Sequence, residues 1–390
     1  MTETGAGDIW LCAGQSNMVF PLGECDGGAR AVAQAGEPGL SLAVVPERLL
    51  ETPVDDPPPA FEPSSPLAAL DFSGIGYYFG RRLQEELAKP VRLIGSYWNG
   101  TPIDSWMPES AFHSSDVLEA VWQRWEKYAA EYEDGQPTPE GAERPGRIFN
   151  AMIAPLTRIP IKGVVWYQGE ANCVQRWHYP RVTPREYADA FPAMIEAWRA
   201  AWGYEFPFIW VQLHGFHERE RQPAESAWAE LREAQLKTLR LPNTAMISAV
   251  DLGDPAGKQN HPPNKAPVAE RLANAALALV YERDVEYSGP LPAGVEWQPD
   301  GSAIVSWEHA EGLHTSGGAP CGFEVAAENG NFVRASAHIE GETVVIGKHI
   351  RATALRYGWA DNPKLNLYNA AELPATPFRT DNRRRQGTPP

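Results

Sequence analysis

The sequence predicts an α/β protein: a parallel sheet flanked by helices, then a smaller antiparallel β domain. Three observations predict it. Over the first two-thirds, short apolar runs alternate with stretches of helical periodicity, as βαβ units require. From about residue 286 the runs shorten, alternate apolar with polar residues, and are separated by Gly, Asn and Pro. A chain of 390 residues with 43% hydrophobic content suits two domains with a sizeable core. The expected division is 8–285 and 286–382.

DIWLCAG (Asp8–Gly14) reads as a buried strand, with Cys12 a buried thiol inside it. A Pro- and Gly-rich stretch to about residue 72, including DDPPPAFEPSSP, reads as a long loop. Ser73 then caps a helix whose apolar face carries Ile75, Phe79, Leu83 and Leu87, and Pro90 stops it. VRLIGSYW (Val91–Trp98) is the second strand, followed by a helix over about 116–131 and a polar linker, EDGQPTPEGAERPG. KGVVWYQG (Lys162–Gly169) is the third. A helix at about 185–202 follows, its stripe formed by Tyr187, Phe191, Ile195, Trp198 and Trp202. FPFIWVQL (Phe206–Leu213) and TAMISAV (Thr244–Val250) complete the strands, with helices at about 224–240 and 264–281. In the last quarter, AIVSW, GFEVAA, TVVIGKH and ALRYGWA read as strands of the β domain.

A net charge of −16 disfavours a surface that tracks nucleic-acid phosphates. The basic run Arg383 to Arg385 lies in the tail and reads as a solvated segment. No stretch approaches the ~18 apolar residues of a membrane span, and MTETGAGDIW does not read as a signal peptide. The expected compartment is cytoplasmic, or extracellular or periplasmic if a leader has been removed. Four scattered cysteines suit neither a disulfide framework nor a zinc site, although a Cys25–Cys173 bridge is conceivable.

Four segments carry candidate chemistry, and three sit immediately after expected strands, where ligands of open α/β sheets bind. GQSNM (Gly14–Met18) puts Ser16 at a tight strand-to-helix turn, where its hydroxyl is exposed and its N–H suits an oxyanion. Alone, it reads as a polar loop with a capping serine. Gln15 and Asn17 flank it with side chains that can fix the loop. In YWNGTPIDSW (Tyr97–Trp106), Gly100 lets a backbone amide approach a substrate oxygen, while Trp98 and Trp106 can stack on sugar rings or enter the core. WYQGEAN (Trp166–Asn172) offers Gln168 as a donor and Glu170 as a carboxylate. DLGDPAGKQNHPPNK (Asp251–Lys265) places His261 in a Pro-rich loop, as suits a general base. Ser early, amide donors in the middle and His late make an acyl-transfer site.

Together these segments resemble the sialate O-acetylesterase family of the SGNH hydrolase superfamily. The resemblance runs through GQSNM, FSGIGYYFG, NGTPIDSWM, FNAMIAPL, IKGVVWYQGEAN, LREAQ, DLGD, HPPNK and NLYN…LPATPFRTD, over residues 8 to 382. It implies a flavodoxin-like three-layer α/β/α fold. It also implies metal-free, cofactor-free deacetylation of O-acetylated sugars through an acyl-enzyme. Ser16 would be the nucleophile and His261 the base, with the Ser16 amide, Gly100 and Gln168 forming the oxyanion hole. Gln15, Asn17, Trp98, Trp106 and Asn172 are the candidate substrate contacts. The Gly-Gly common in the second block is Asn99-Gly100 here. Relatives often carry Asp two or three residues before the histidine, where this chain has Gln259 and Lys258. The group that orients His261 is therefore Asp254, ranked first, or Asp251, Glu170 or a backbone carbonyl. The alternatives to a sugar O-acetylesterase are a non-catalytic carbohydrate-binding protein on the same scaffold and an esterase for another polysaccharide such as acetylxylan. The oligomeric state is left open.

Overall fold

The run IWLCAG is apolar on both of its alternating faces, so it is stable only where helices cover both sides. The computed structural model describes residues 7–131, 144–174, 180–327, 330–349 and 351–382. There this run forms β1 (Asp8–Gly14), buried from Ile9 onward. Around it lie β2 (Leu40–Val44), β3 (Glu62–Pro63), β4 (Val91–Tyr97), β5 (Gly163–Tyr167), β6 (Phe208–Gln212) and β7 (Thr244–Ser248). The order across the sheet is β3-β2-β4-β1-β5-β6-β7. β1 pairs parallel with β4 and β5, β2 with β4, and β5 with β6, while the edge strand β3 runs antiparallel.

The two faces of β1 meet different helices. Trp10 packs edge-on against Phe79 of the helix Gly74–Leu87, with ring centroids 5.2 Å apart. Ser73 caps that helix as expected, its hydroxyl accepting from Gly76 N–H at 3.0 Å. The helix Ala266–Tyr281 packs beside it. Trp166 of β5 is in register with Ala13 and so faces the other way. There it meets Phe191 and Trp198 of the helix Tyr187–Trp202. The three-layer α/β/α arrangement that the family resemblance implies is present.

One expectation is corrected. The stretch to residue 72 is not one long loop: it holds a helix at Gly28–Gln34, strands β2 and β3, and a helix at Pro66–Leu70. β2 is short and set among turn residues, and pairing with β4, some fifty residues on, stabilises it. The proline-rich part, 51–60, does lack regular structure. Most of the polar linker (132–143) and Arg383 to Arg385 lie outside the described residues.

The chain divides into two compact units. The first is Met1–Val211, Ala234–Met246 and Pro263–Arg283; the second is Gln212–Glu233, Ile247–Pro262 and Asp284–Pro390. In the second, β8 (Leu291–Trp297), β9 (Ala303–Glu308), β13 (Ala337–Glu340) and β14 (Thr343–Ile346) form one antiparallel sheet. β11 (Phe323–Ala327), β12 (Phe332–Arg334), β15 (Ala352–Tyr357) and β17 (Phe378–Arg379) form another. Trp307 of β9 meets Tyr357 and Phe378 edge-on at 5.6 and 5.5 Å, so the two sheets share a core. β10 (His314–Thr315) and β16 (Leu367–Tyr368) add a two-stranded ribbon. Arg232, fully buried, donates to the carbonyls of Leu213, His214, Ala360 and Asp361, tying distant parts of this unit together.

β1 ends in a glycine for a definable reason. Gly14 has φ +139°, and a Cβ there would lie 2.1 Å from the Tyr167 carbonyl oxygen. Gly14→Ala is therefore expected to cost on the order of 1–3 kcal/mol through backbone strain, with the clash added. Urea unfolding would show the lowered midpoint.

Candidate active site

The chain leaves β1 toward β2 and β4, and leaves β5 toward β6 and β7. The carboxyl ends of β1 and β5 are thus the topological switch point, where open α/β sheets bind ligands. Ser16 opens a single helical turn there, Ser16–Val19. The Gln15 carbonyl accepts from the N–H groups of Met18 and Val19 at 2.8 and 2.9 Å, and the Ser16 carbonyl from Phe20 N–H at 2.9 Å. Among the described residues the Ser16 N–H enters none of these bonds. Ser16 is half-buried, and its hydroxyl accepts a long hydrogen bond from Gln15 Nε2 at 3.4 Å.

Buried amides hold this turn to its neighbours. Gln15 Oε1 accepts from Ala171 N–H at 3.1 Å, Gly169 N–H at 3.4 Å and Gln168 Nε2 at 3.3 Å. Gln168 Nε2 also reaches the Thr101 carbonyl (3.1 Å) and Asn172 Oδ1 (2.8 Å), and its own Oε1 accepts from Tyr187 at 2.8 Å. Asn172 Oδ1 further accepts from Ile103 N–H at 3.0 Å, while its Nδ2 donates to Asp104 and the Val182 carbonyl. Burial pushes the Asp104 carboxyl up to about 6, against the Val182 N–H bond that lowers it. The loop after β4 is tied in too, because Trp98 N–H donates to the Gly14 carbonyl at 3.0 Å. Gly100 at its tip is exposed with φ +70°, and among the described residues beyond its chain neighbours nothing lies within 4 Å of where a Cβ would stand.

Behind Ser16 the side chain of Asn17 is 0% exposed. Its Nδ2 donates to Glu170 Oε1 at 2.6 Å, and its Oδ1 accepts from Lys265 Nζ. Glu170 and Lys265 are both buried. Burial raises the Glu170 carboxyl above the ordinary carboxylate value, against the Asn17 bond and the Lys265 charge. Among the described residues Glu170 Oε2 has no hydrogen-bond partner.

His261 belongs to the second unit and is exposed on its loop. Asp254, ranked first for orienting it, instead turns its carboxylate onto its own loop. Oδ1 accepts from Ala256 N–H, and Oδ2 from Lys258 and Gln259 N–H, at 2.8 to 3.2 Å. These bonds hold its carboxyl below the usual range. The Asp254 carbonyl in turn accepts from Asn362 at 3.1 Å.

Several further expectations change. Trp106 is fully buried, edge-on to Trp166 at 5.6 Å, with Nε1 bonded to Thr101, so it has no face for a sugar. Gln15, Asn17 and Asn172 are likewise buried, with their polar atoms turned into the protein rather than toward a substrate. Gln168, expected in the oxyanion hole, is 0% exposed, and three acceptors surround the two protons of its amide. Glu170 is occupied with Asn17. Trp98 stays half-exposed. Among the described residues no disulfide is formed, so the Cys25–Cys173 bridge is absent. Lys265 was missed by sequence reasoning, although a cation just before a helix runs against the helix dipole and is a legible anomaly.

Among the described residues no group of three His, Cys, Asp or Glu side chains could hold a metal ion. Nor is any helix among them long and apolar enough to cross a membrane. The second unit holds a cavity of about 540 Å³ lined by Arg219, Trp359, Asn362 and Lys364 among others, and neither Asp254 nor His261 lines it.

The sheet order and the serine turn at its switch point define an SGNH-type α/β hydrolase scaffold. The model of one family, described as carbohydrate esterase, sialic acid-specific acetylesterase, matches residues 6–278, and the chain belongs to that family. The sialate O-acetylesterase of Pongo abelii is 31% identical over 326 residues, covering 74% of this chain and 57% of that protein's own length. The human sialate O-acetylesterase is 29% identical over 411 residues, covering 95% of this chain and 74% of the human protein. A crystal structure of a carbohydrate acetylesterase from Xanthomonas citri superposes with a TM-score of 0.83 at 33% identity, covering 96% of this chain and 81% of that one.

Asn172 gathers four residues, Ile103, Asp104, Gln168 and Val182, around one buried amide. Removing it in Asn172→Ala strands the Ile103 N–H and the Val182 carbonyl, each worth about 1–3 kcal/mol when left unpaired. The variant is expected to lose roughly 3 kcal/mol of stability or more, measurable as a lowered urea midpoint with an unchanged slope.

Proposed function

We propose that this protein is a serine esterase that removes O-acetyl groups from sugars, with Ser16 as nucleophile and His261 as general base. The observation that carries this reading is the Ser16 turn. It stands at the switch point of the sheet, its backbone is locked by neighbouring turns, and its N–H enters no hydrogen bond among the described residues. The family description and the relatives' acetylesterase names support the same reaction.

In this mechanism His261 takes the Ser16 proton as Oγ attacks the ester carbonyl. The tetrahedral oxyanion is met by the N–H groups of Ser16 and Gly100, backbone donors of the kind that stabilise developing negative charge. Gln168 supports them from behind, fixing Gln15 and the Thr101 carbonyl. His261 returns the proton to the departing sugar oxygen, leaving acetyl on Ser16. A water, deprotonated by His261, then attacks the acyl carbonyl, and collapse releases acetate and restores the serine. Asp254 acts one step back by shaping the loop that carries His261. Half-exposed Trp98 is the remaining aromatic candidate for sugar contact. The substrates proposed are O-acetylated glycans, sialic acids among them.

Ser16→Ala and His261→Ala are each expected to lower kcat for p-nitrophenyl acetate by on the order of 10³-fold or more. Activity unchanged in folded Ser16→Ala would sink the assignment. Acetate release from O-acetylated sialic acids, compared with acetylxylan, reads out the acceptor.

A further inference from the structure

Lys265 takes no part in the mechanism above, yet it occupies a place where a cation is hard to keep. It is 2% exposed and directly precedes the helix Ala266–Tyr281. The first N–H groups of that helix already give its N-terminus positive character. Burying an ammonium beside them is costly, and a well-packed apolar side chain would serve stability better. What the ammonium meets is the side-chain amide oxygen of Asn17, with the Phe20 ring centroid 4.8 Å from Nζ.

The other end of the same amide is held with the opposite sign. Asn17 Nδ2 donates to the Glu170 carboxylate at 2.6 Å. The amide oxygen faces a cation and the amide N–H a carboxylate, so one orientation satisfies both, and a flipped amide would oppose like charges at each end. Two segments distant in sequence, those of Glu170 and Lys265, converge on the residue that directly follows Ser16.

We propose that Lys265 is a positioning residue: with Glu170 it grips the Asn17 amide from both ends and holds the Ser16 turn in its attacking geometry. The inference rests on Ser16 being the nucleophile.

A consequence for pH follows from the chemistry of the grip. Burial pulls the Lys265 ammonium down to about 8, against the opposing influence of Cys25 and Glu170. Those are the titratable groups acting on it. Burial pushes the Cys25 thiol up to about 11, so it is neutral at pH 8, and raises the Glu170 carboxyl. As pH rises through about 8, Lys265 loses its proton and the charge that orders the amide is lost. The acyl-transfer rate falls with it.

The test uses the full chain with p-nitrophenyl acetate, measuring kcat and KM separately across pH, with thermal unfolding as a fold control. Lys265→Met is expected to fold, to lose roughly 10- to 100-fold in kcat with KM held within about twofold, and to lose the wild-type fall near pH 8. Lys265→Arg keeps the charge, so it is expected to recover part of kcat and to move the alkaline fall above about pH 10. A folded Lys265→Met with wild-type kcat, or one that keeps the fall near pH 8, overturns the proposal. Should Lys265→Met not fold, Glu170→Gln decides: lowered kcat at unchanged KM supports the grip, and unchanged kcat overturns it. Failure of the esterase reading is separate, because only then does Ser16→Ala keep activity.

Discussion

The side-chain oxygen of Gln15 holds together the two turns on which the site depends. It accepts from the backbone N–H groups of Gly169 and Ala171 and from the Gln168 amide, joining the end of β1 to the end of β5. These strands flank the point where the sheet's connections diverge, so no helix can close the gap between their ends. A polar side chain does so instead. Because the bond is buried, both of its ends would be expensive to leave unpaired, and the turn has little freedom to drift.

From that joint the order spreads outward through amides rather than ions. Gln168, Asn172 and Asn17 each use both ends of the side chain, and between them they reach the loop after β4, the Tyr187 hydroxyl and the buried Glu170 and Lys265. An amide offers two donors and an acceptor without carrying charge, so it can be buried whole provided each atom is met. The ionisable members, Asp104, Glu170 and Lys265, are all displaced by burial toward their neutral forms. A turn on such a support has little freedom to rearrange when a ligand arrives, which is the physical meaning of preorganisation.

The second unit is built by other means. Arginines do the joining there: Arg356 meets Asp381 and Glu225, Arg379 meets Glu233, and Arg232 spans four carbonyls. A guanidinium has five fixed donors, which suits irregular segments whose carbonyls lack a strand partner. One of the segments gathered into this unit, Ile247–Pro262, carries Asp254 and His261. Asp254 and Asn362 give its turn a defined shape.

By itself the sequence determined what local chemistry can determine. Periodicity placed β1, β4 and β5 and the helices that cover them, because a buried strand or an amphipathic helix leaves its pattern within ten or fifteen residues. GQSNM after β1 marked a tight strand-to-helix turn at Ser16, and the prolines around His261 marked a loop. β2 escaped because its partner β4 lies far along the chain. Tertiary structure alone decided which way the polar side chains face. Gln168, Asn172 and Trp106 looked like groups for a substrate, yet they are turned inward, since whether an amide or an indole meets solvent depends on neighbours tens of residues away. Lys265 was decided in the same way: the buried surroundings that make it matter are assembled from residues 17, 20 and 170, and no pattern around position 265 encodes them.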